Sequence, residues 1–386
     1  MHYNFDSIID RTNTNSLKYD LRKQLFGTHD VLPFWVADMD FKVADEILED
    51  MQKALNHGIF GYTYLPDSAY ASIISWVQHK HNWHIQKGNI HFFNGVVPSI
   101  NLLIQEFTNK GDEIIVQPPV YHPFFLSIKN NNRTVIWNEL IKTERGDYCM
   151  DFDNLISQIT PRTKMLLLCN PHNPVGTSWS RNELEKLHNI CREHDILVIS
   201  DEIHSDILFN HTHTPWATLS EHAAQNSITL MSPSKTFNIA GLHVSVIITQ
   251  NTNFYSRIQT FIQNIHISMF SSLSIIGFES AYTKGDAWLQ ELLNYLQTNI
   301  RCIHEYLDDT LIQTNTPEST YLAWLDCSDL QLSETKLHET FIKAGVGLSN
   351  GNMFGKGGEN HMRLNFACPR HILEQGLEKI RIIAKK

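Results

Sequence analysis

The sequence predicts an α/β protein in which a mostly parallel sheet lies between helices. Short apolar runs alternate with helical patterns through the middle of the chain, and polar or turn-forming residues end each apolar run. The chain has 386 residues, which is longer than one ordinary domain. At roughly 150 residues per domain, this length suggests two domains. The clearest strands are residues 114–117, 165–169, 196–200 and 228–231.

Helical patterns connect these strands. Between the second and the third, Ser180 and Glu183 have the spacing of a capping box ahead of an apolar helical face, which completes one βαβ unit. An earlier helix is predicted after Gly95, because Pro98 occupies a position favoured in the first turn.

The chain changes its organisation after residue 274. Residues 274–311 have a long helical pattern that is interrupted at Gly285, and strands follow at 321–325 and 362–366. Further helices are predicted after Ser333 and Pro369. This part predicts a second, smaller domain.

Charge and composition argue against several classes of protein. Acidic residues number 41 and basic residues 31, without a basic stripe, so nucleic acid is not expected as a partner. Residues 1–11 lack the apolar core of a signal peptide, and no apolar run approaches the roughly 20 residues that span a bilayer. We therefore expect a cytoplasmic protein without a membrane partner.

Cysteine and histidine usage does not predict a metal site. The six cysteines form no Cys-x-x-Cys pair, which is typical of buried thiols. The histidines are densest at residues 79–84, which we interpret as a solvated helix end because neighbours two positions apart do not share a helix face. We interpret His211 and His213, in a polar turn, as solvated in the same way.

Polar side chains follow the predicted strands at the points where the strands end. Ligands of open α/β sheets collect beyond the carboxyl ends of the strands, so these side chains are the candidates for a site. Taken singly, each has an ordinary alternative as a turn residue, a helix cap, a packing residue or a solvated lysine. The candidates are Tyr121, Asn173, Asp201, His204, Ser232, Ser234 and Lys235.

Together and in this order, these residues resemble the fold-type I family of pyridoxal-phosphate enzymes, the aspartate aminotransferase-like group. The resemblance implies pyridoxal 5′-phosphate as cofactor and a large domain with a mostly parallel, seven-stranded sheet beside a smaller α+β domain. It also implies three units, which are an N-terminal segment 1–45 over the active site, a large domain 46–280 and a small domain 281–386.

The chemistry of this cofactor explains the residue types. Lys235 is the expected source of the amine for a Schiff base, since a desolvated lysine can lose its proton near neutral pH. Asp201 would keep the pyridine nitrogen protonated, Asn173, at the matching family position, would form a hydrogen bond with the phenolic oxygen, and Tyr121 would stack on the ring.

The phosphate group needs donors at a helix terminus or on hydroxyls. The N–H groups of Val96 and Val97, ahead of Pro98, are expected to bind it, together with the hydroxyls of Ser232 and Ser234.

Four motifs, at residues 5–16, 32–41, 60–64 and 354–369, resemble those of the MalY/PatB class of cystathionine β-lyases, or C–S lyases. Arg363 would bind the substrate carboxylate in a bidentate pair, although an exposed arginine on an edge strand is the alternative. Tyr64 would reach the cofactor phosphate and the substrate of the neighbouring subunit, which implies a homodimer with active sites at the interface. Ala37, in the segment 35–38, would contact substrate and cover the pocket.

Two positions depart from the broader aminotransferase pattern. His204 stands where those enzymes commonly have a tyrosine, and we include it among the cofactor-binding residues. His243 stands where they commonly have a phosphate-binding arginine, and we give it no role.

The resemblance implies β-elimination from an amino-acid thioether such as L-cystathionine, which yields a thiol, pyruvate and ammonia. The alternatives are an aminotransferase of the same fold and a regulatory protein that binds the cofactor but turns over little.

Overall fold

The computed structural model describes residues 3–267 and 270–385, so residues 1 and 2 of the predicted N-terminal segment lie outside it. Its α-helices are α1 (Leu17–Asp20), α2 (Arg22–Phe26), α3 (Asp45–His57), α4 (Asp67–His81), α5 (Val96–Phe107), α6 (Pro123–Asn130), α7 (Phe152–Gln158), α8 (Arg181–Glu193), α9 (Glu221–Gln225), α10 (Pro233–Thr236), α11 (Thr252–Asn264), α12 (Ser272–Lys284), α13 (Asp286–Leu307), α14 (Glu334–Lys343) and α15 (Arg370–Ile383). Its strands are β1 (Leu32–Pro33), β2 (Ile90–Phe93), β3 (Glu113–Val116), β4 (Thr134–Trp137), β5 (Ile141–Lys142), β6 (Tyr148–Cys149), β7 (Thr163–Cys169), β8 (Leu197–Asp201), β9 (Ser227–Met231), β10 (Ser245–Ile248), β11 (Gln313–Thr314), β12 (Leu322–Asp326), β13 (Val346–Gly347), β14 (Ser349–Asn350) and β15 (His361–Asn365).

The central sheet has seven strands in the order β2–β10–β9–β8–β7–β3–β4. Neighbours from β9 to β4 run parallel, whereas β10 is antiparallel to both β9 and β2. Every residue of β3, β8 and β9 is buried, because helices and loops cover both faces of the sheet. The predicted α/β class is confirmed, and the four predicted strands agree with the observed bounds to within two residues.

A second, antiparallel sheet has the order β11–β12–β15–β14. Its core contains Leu322 and Leu364 from the sheet, Leu292 from α13 and Leu377 from α15. The N-terminal segment joins this part of the molecule, since β1 pairs parallel with β13. The division of the chain near residues 45 and 280 stays a prediction.

Two helix boundaries follow from local chemistry. The capping box at α8 is confirmed, since Ser180 Oγ accepts from the Glu183 N–H and the Glu183 carboxylate accepts from the Ser180 N–H. The break at Gly285 is also confirmed, between α12 and α13. A Cβ at Gly285 would overlap the ring of Phe237 and lie 2.6 Å from the carbonyl oxygen of Ala281. Only glycine therefore fits this corner without a shift of its neighbours.

Two histidines depart from the sequence prediction. The Nε2 of His81 lies 3.1 Å from Asp206 Oδ1, and the Nε2 of His213 lies 2.8 Å from Glu202 Oε2. Their side chains are 4% and 0% exposed, so the solvated interpretation is wrong for both. The partner of His81 lies 125 positions away, beyond the reach of local sequence patterns. His211 is exposed, as predicted.

The six cysteines are free thiols, of which Cys149 alone is partly exposed. Within residues 3–267 and 270–385, no group of three or more His, Cys, Asp and Glu side chains is placed to hold a metal ion. No helix in the same ranges combines the length and the apolar character that crossing a bilayer requires.

Candidate active site

A cavity of about 670 Å³ lies beyond the carboxyl ends of β7, β8 and β9. The strand register brings these ends together, because Cys169 on β7 pairs with Asp201 on β8, which in turn pairs with Leu230 on β9. Most of the predicted site residues line this cavity. They are Ala37, Val96, Val97, Tyr121, Asn173, Asp201, His204, Lys235 and Arg363.

Lys235 lies in α10, directly after β9. Its Nζ donates a hydrogen bond to the carbonyl oxygen of Ala37 at 2.7 Å. Burial lowers the pKa of Lys235 to about 8; the charge of Asp38 opposes the shift and that of Arg363 adds to it. An amine with this pKa is partly unprotonated near neutral pH, so it can act as a nucleophile or as a base.

Asp201 ends β8 inside the cavity wall. Its Oδ1 accepts a hydrogen bond from the N–H of Ile203 at 3.1 Å. Burial raises the pKa of Asp201 to about 7, and the neighbouring Glu202 contributes to the increase. The carboxylate would be stabilised by a cation placed against it, such as a protonated ring nitrogen.

Arg363 lies in the middle of β15, and its guanidinium is fixed by neutral groups. Nη1 donates to Asn173 Oδ1 at 3.0 Å, and Nη2 donates to the carbonyl oxygen of Trp35 at 2.8 Å. The guanidinium carbon also lies 4.8 Å from the ring centroid of Phe354. Burial lowers the pKa of Arg363 to about 10.

The environment of Arg363 suits a carboxylate ligand. Its Nε is buried without a hydrogen-bond partner, and its hydrogen-bond partners among the described residues are all neutral groups. Strand β15 is an interior strand and Arg363 is 5% exposed, so the alternative of an exposed arginine on an edge strand is wrong. A buried guanidinium without a carboxylate partner can pair with one from a ligand.

The N-terminus of α5 points donors toward the cavity. Gly95 precedes the helix with φ of +117°, a conformation that favours glycine. Val96 and Val97 are the first two helical residues, whose N–H groups have no acceptor inside the helix, and no side chain caps them. Such a terminus is suited to a phosphate group.

Tyr121 and His204 complete the inner wall. The N–H of Tyr121 donates to the carbonyl oxygen of Asn173 at 3.1 Å, which joins the loops that follow β3 and β7. Burial lowers the pKa of His204 to about 3, and the charges of Lys235 and Arg363 add to this effect. His204 is therefore neutral, and its buried Nδ1 has no partner within the described chain.

Three predicted residues do not line the cavity. Ser232 Oγ donates its one proton to the carbonyl oxygen of Val244 at 2.7 Å and accepts from the N–H of Ser234, so in this arrangement it cannot also donate to a phosphate. The phosphate contacts of Ser232 and Ser234 stay a prediction. Tyr64 is 80% exposed between α3 and α4, and its predicted role requires a second subunit.

An ionic network fixes the segment that covers the cavity. Arg11 contacts Asp38 at 2.8 Å and Asp40 at 2.6 Å, and the fully buried Lys18 contacts Asp40 at 2.8 Å. Asn365 also donates to the carbonyl oxygen of Asp38. We did not predict these roles, although Arg11, Asp38 and Asp40 lie in two of the motifs that carry the family resemblance. Lys18 lies outside those motifs.

Sequence reasoning also missed residues that support Arg363. Ser349 pairs with Arg363 across β14 and β15 and accepts from its Nη2 at 3.3 Å. Phe354 is the first residue of the motif at 354–369, and its place in that motif was the sequence signal that could have revealed its role. His243, which had no predicted role, lines the cavity with φ of +48°.

Comparisons with known proteins cover nearly the whole chain. The family model of class I and II aminotransferases matches residues 29–380. Cystathionine beta-lyase PatB of Bacillus subtilis (strain 168) is 40% identical over 383 residues, which are 98% of this chain and 99% of PatB. Protein MalY of Escherichia coli (strain K12) is 33% identical over 382 residues, 97% of each chain.

A solved structure agrees with these relatives. Cystalysin from Treponema denticola, which contains a pyridoxal 5′-phosphate cofactor, has a TM-score of 0.95 and 34% identity to this chain, and the match covers 99% of both chains. The similarity includes both termini, where the predicted motifs lie. The chain therefore belongs to the class I and II aminotransferase family and, within it, to the branch represented by PatB and MalY.

Proposed function

We propose that the protein is a pyridoxal-phosphate-dependent carbon–sulfur lyase that acts on L-cystathionine or a related cysteine S-conjugate. The products are a thiol, pyruvate and ammonia. The observation that carries the proposal is the grouping of Lys235, Asp201 and Arg363 around one cavity, in a chain 40% identical to a cystathionine beta-lyase. Cystalysin, with its bound cofactor, supports the choice of pyridoxal phosphate.

The cavity fits this cofactor group by group. Asp201, whose pKa is raised by burial, offers a carboxylate for the ring nitrogen, and the N–H groups of Val96 and Val97 offer donors for the phosphate. Tyr121 offers a ring face and Lys235 an amine. When bound, the cofactor supplies an electron sink for the pair left at the substrate's α-carbon after proton removal.

The chain itself binds the substrate and moves one proton. The unpartnered Nε of Arg363 receives the α-carboxylate together with the adjacent Nη2, which exchanges its 3.3 Å contact with Ser349 for the ligand, while Asn173 holds Nη1 in place. The amine of Lys235 takes the proton from the substrate's α-carbon, and its pKa of about 8 allows it to hold that proton near neutral pH. The thiolate then leaves from the β-carbon.

A second copy of the chain is part of the proposal. The segment between α3 and α4 exposes four large apolar side chains, which is unusual unless another surface covers them. Their exposed fractions are 71% for Ile59, 61% for Phe60, 96% for Tyr62 and 80% for Tyr64. In a homodimer this segment of one subunit reaches the cavity of the other.

An aminotransferase of the same fold is the second candidate, because the matching family model carries that name. Both reactions need the α-proton removed by Lys235. They would differ in the fate of the substrate, which loses its β-substituent in the lyase reaction and passes its amino group to a keto acid in the aminotransferase reaction, so the products distinguish them.

The test is to incubate the purified protein, loaded with pyridoxal phosphate, with L-cystathionine and no added keto acid. We expect pyruvate and free thiol in equal amounts, and neither product from the Lys235→Ala variant, which lacks the amine. Amino transfer that occurs only after a keto acid is added would instead support the aminotransferase.

A further inference from the structure

Two carboxylates behind the cavity are paired with the histidines that the sequence did not reveal as buried. Glu202 Oε2 lies 2.8 Å from His213 Nε2, and neither side chain is exposed. Its other oxygen accepts from Ser200 Oγ at 2.8 Å and from the N–H of Trp216 at 2.9 Å. With three donors, this carboxylate is held in one orientation.

Asp206 has a matching set of three donors. Its Oδ1 accepts from Trp76 Nε1 at 3.0 Å and lies 3.1 Å from His81 Nε2, and its Oδ2 accepts from Thr236 Oγ1 at 2.9 Å. Burial alone would raise the pKa of Asp206, but these hydrogen bonds and the charge of His81 hold it below its usual value. Asp206 therefore joins α4, which carries Trp76 and His81, to α10.

The two carboxylate–imidazole pairs contact each other, since the rings of His81 and His213 cross edge to face at 5.2 Å between centroids. We name the resulting set the imidazole–carboxylate network. Its members are Glu202, His213, His81 and Asp206.

The two ends of this network lie beside the two groups that the proposed chemistry needs. Glu202 directly follows Asp201, and its negative charge contributes to the raised pKa of that carboxyl. Thr236, bonded to Asp206, directly follows Lys235. No member of the network lines the cavity, so the network acts through its neighbours.

We propose that Asp206 is a positioning residue for Lys235, and that its hydrogen bond to Thr236 fixes the turn of α10 that presents the lysine amine to the cavity. The inference rests on the proposed function only in taking Lys235 as the lysine that joins the cofactor. Helix α10 has four residues, too few to hold their own orientation without tertiary contacts. The bond from Thr236 anchors this turn to the much longer α4.

The test removes the single hydroxyl from the cofactor-loaded protein. Thr236→Val keeps the shape of the side chain but cannot donate to Asp206, whereas Thr236→Ser keeps the donor. The matched control is Thr229→Val on β9, since Thr229 is equally buried and its hydroxyl has no hydrogen-bond partner in the described chain. The readouts are the cofactor content, the visible circular dichroism of the bound cofactor and the kinetics with L-cystathionine.

We expect Thr236→Val to retain cofactor while its visible circular dichroism falls about twofold and its kcat about tenfold, with little change in KM, because the amine is misplaced rather than absent. Thr236→Ser and Thr229→Val should match the parent protein. Asp206→Ala, which removes both acceptor oxygens, should resemble Thr236→Val in both readouts.

Three results would overturn the inference. They are unchanged dichroism and kcat in both Thr236→Val and Asp206→Ala, equal losses in Thr236→Val and Thr236→Ser, and losses that disappear at a temperature where every variant is fully folded. The dichroism is measured without substrate. If the parent protein shows no lyase activity, the proposed function is refuted, and the dichroism of the variants still tests the role of Asp206.

Discussion

At the scale of single residues, the cavity contains two opposite charges that do not pair with each other. Burial moves the pKa of Asp201 up to about 7 and that of Arg363 down to about 10, in each case toward the neutral form. An unpaired charge in a buried site is unfavourable. A ligand that brings a cation to Asp201 and a carboxylate to Arg363 removes this penalty, as a protonated pyridine ring and an amino acid would together.

The raised pKa of Asp201 makes the stability of the cofactor-free protein depend on pH. The carboxyl group of Asp201 has a pKa of about 7 in the folded chain and 3.8 in the unfolded chain. It therefore stabilises the fold fully at a pH below 3.8, and this contribution is lost as the pH rises through about 7. Asp201→Asn should therefore raise the free energy of unfolding by about 2 to 4 kcal/mol near pH 8 and change it little near pH 4.

Urea unfolding of both proteins at the two pH values measures this difference. Saturating pyridoxal phosphate should reverse the order at pH of about 8, because the ring nitrogen then gives the carboxylate a cation. Equal stability of the cofactor-free proteins at both pH values would show that the pKa of Asp201 is not raised.

At the scale of elements, the ends of strands and helices decide what reaches the cavity. The register of β7, β8 and β9 places Asn173, Asp201 and Lys235 at one edge of the sheet. The corner between α12 and α13 packs on Phe237, two residues after Lys235, so a distant helix junction supports the lysine-bearing turn.

The prediction at this scale concerns Gly285, at that corner. Gly285→Ala should lower the free energy of unfolding by about 1 to 3 kcal/mol, because the added Cβ overlaps the Phe237 ring and the Ala281 carbonyl oxygen. Gly88→Ala is the control, since a Cβ there meets no atom within 4 Å. Denaturant unfolding measures both, and equal effects would mean that the corner relaxes without a penalty.

At the scale of the whole molecule, the site depends on parts of the chain that are far apart in sequence. Asn173 and Arg363 are 190 positions apart and Lys235 and Ala37 are 198, yet each pair is joined by a hydrogen bond. The ionic network of Arg11, Lys18, Asp38 and Asp40 fixes the covering segment over them. In our proposal, the exposed segment with Tyr64 also makes each site depend on a second subunit.

The prediction at this scale is that two inactive variants restore activity when mixed. Lys235→Ala removes the amine from its own cavity, and Tyr64→Ala removes the side chain proposed to reach the partner's cavity. After subunit exchange, about half of the dimers are mixed and each has one intact site, so about a quarter of the parental activity should return.

Pyruvate release from L-cystathionine before and after exchange measures this recovery. A mixture of Lys235→Ala with Asp201→Ala is the control, because both changes lie in the same cavity and each mixed dimer then lacks an intact site. No recovery in the first mixture, with subunit exchange demonstrated, would refute a site shared between subunits.

The sequence by itself determined the α/β class, the main strands, the capping box at Ser180 and the break at Gly285, because these depend on spacing and on turn or capping chemistry within a few residues. It also placed Asp201 and Lys235 at strand ends, where an open sheet binds ligands. The tertiary structure alone decided that the side chains of His81 and His213 are buried and that the Ser232 hydroxyl donates its proton to a main-chain carbonyl oxygen. It also decided that Arg363 lies on an interior strand and has no carboxylate partner. The physical reason is that burial and pairing of a side chain depend on groups far away in the chain, which local patterns do not record.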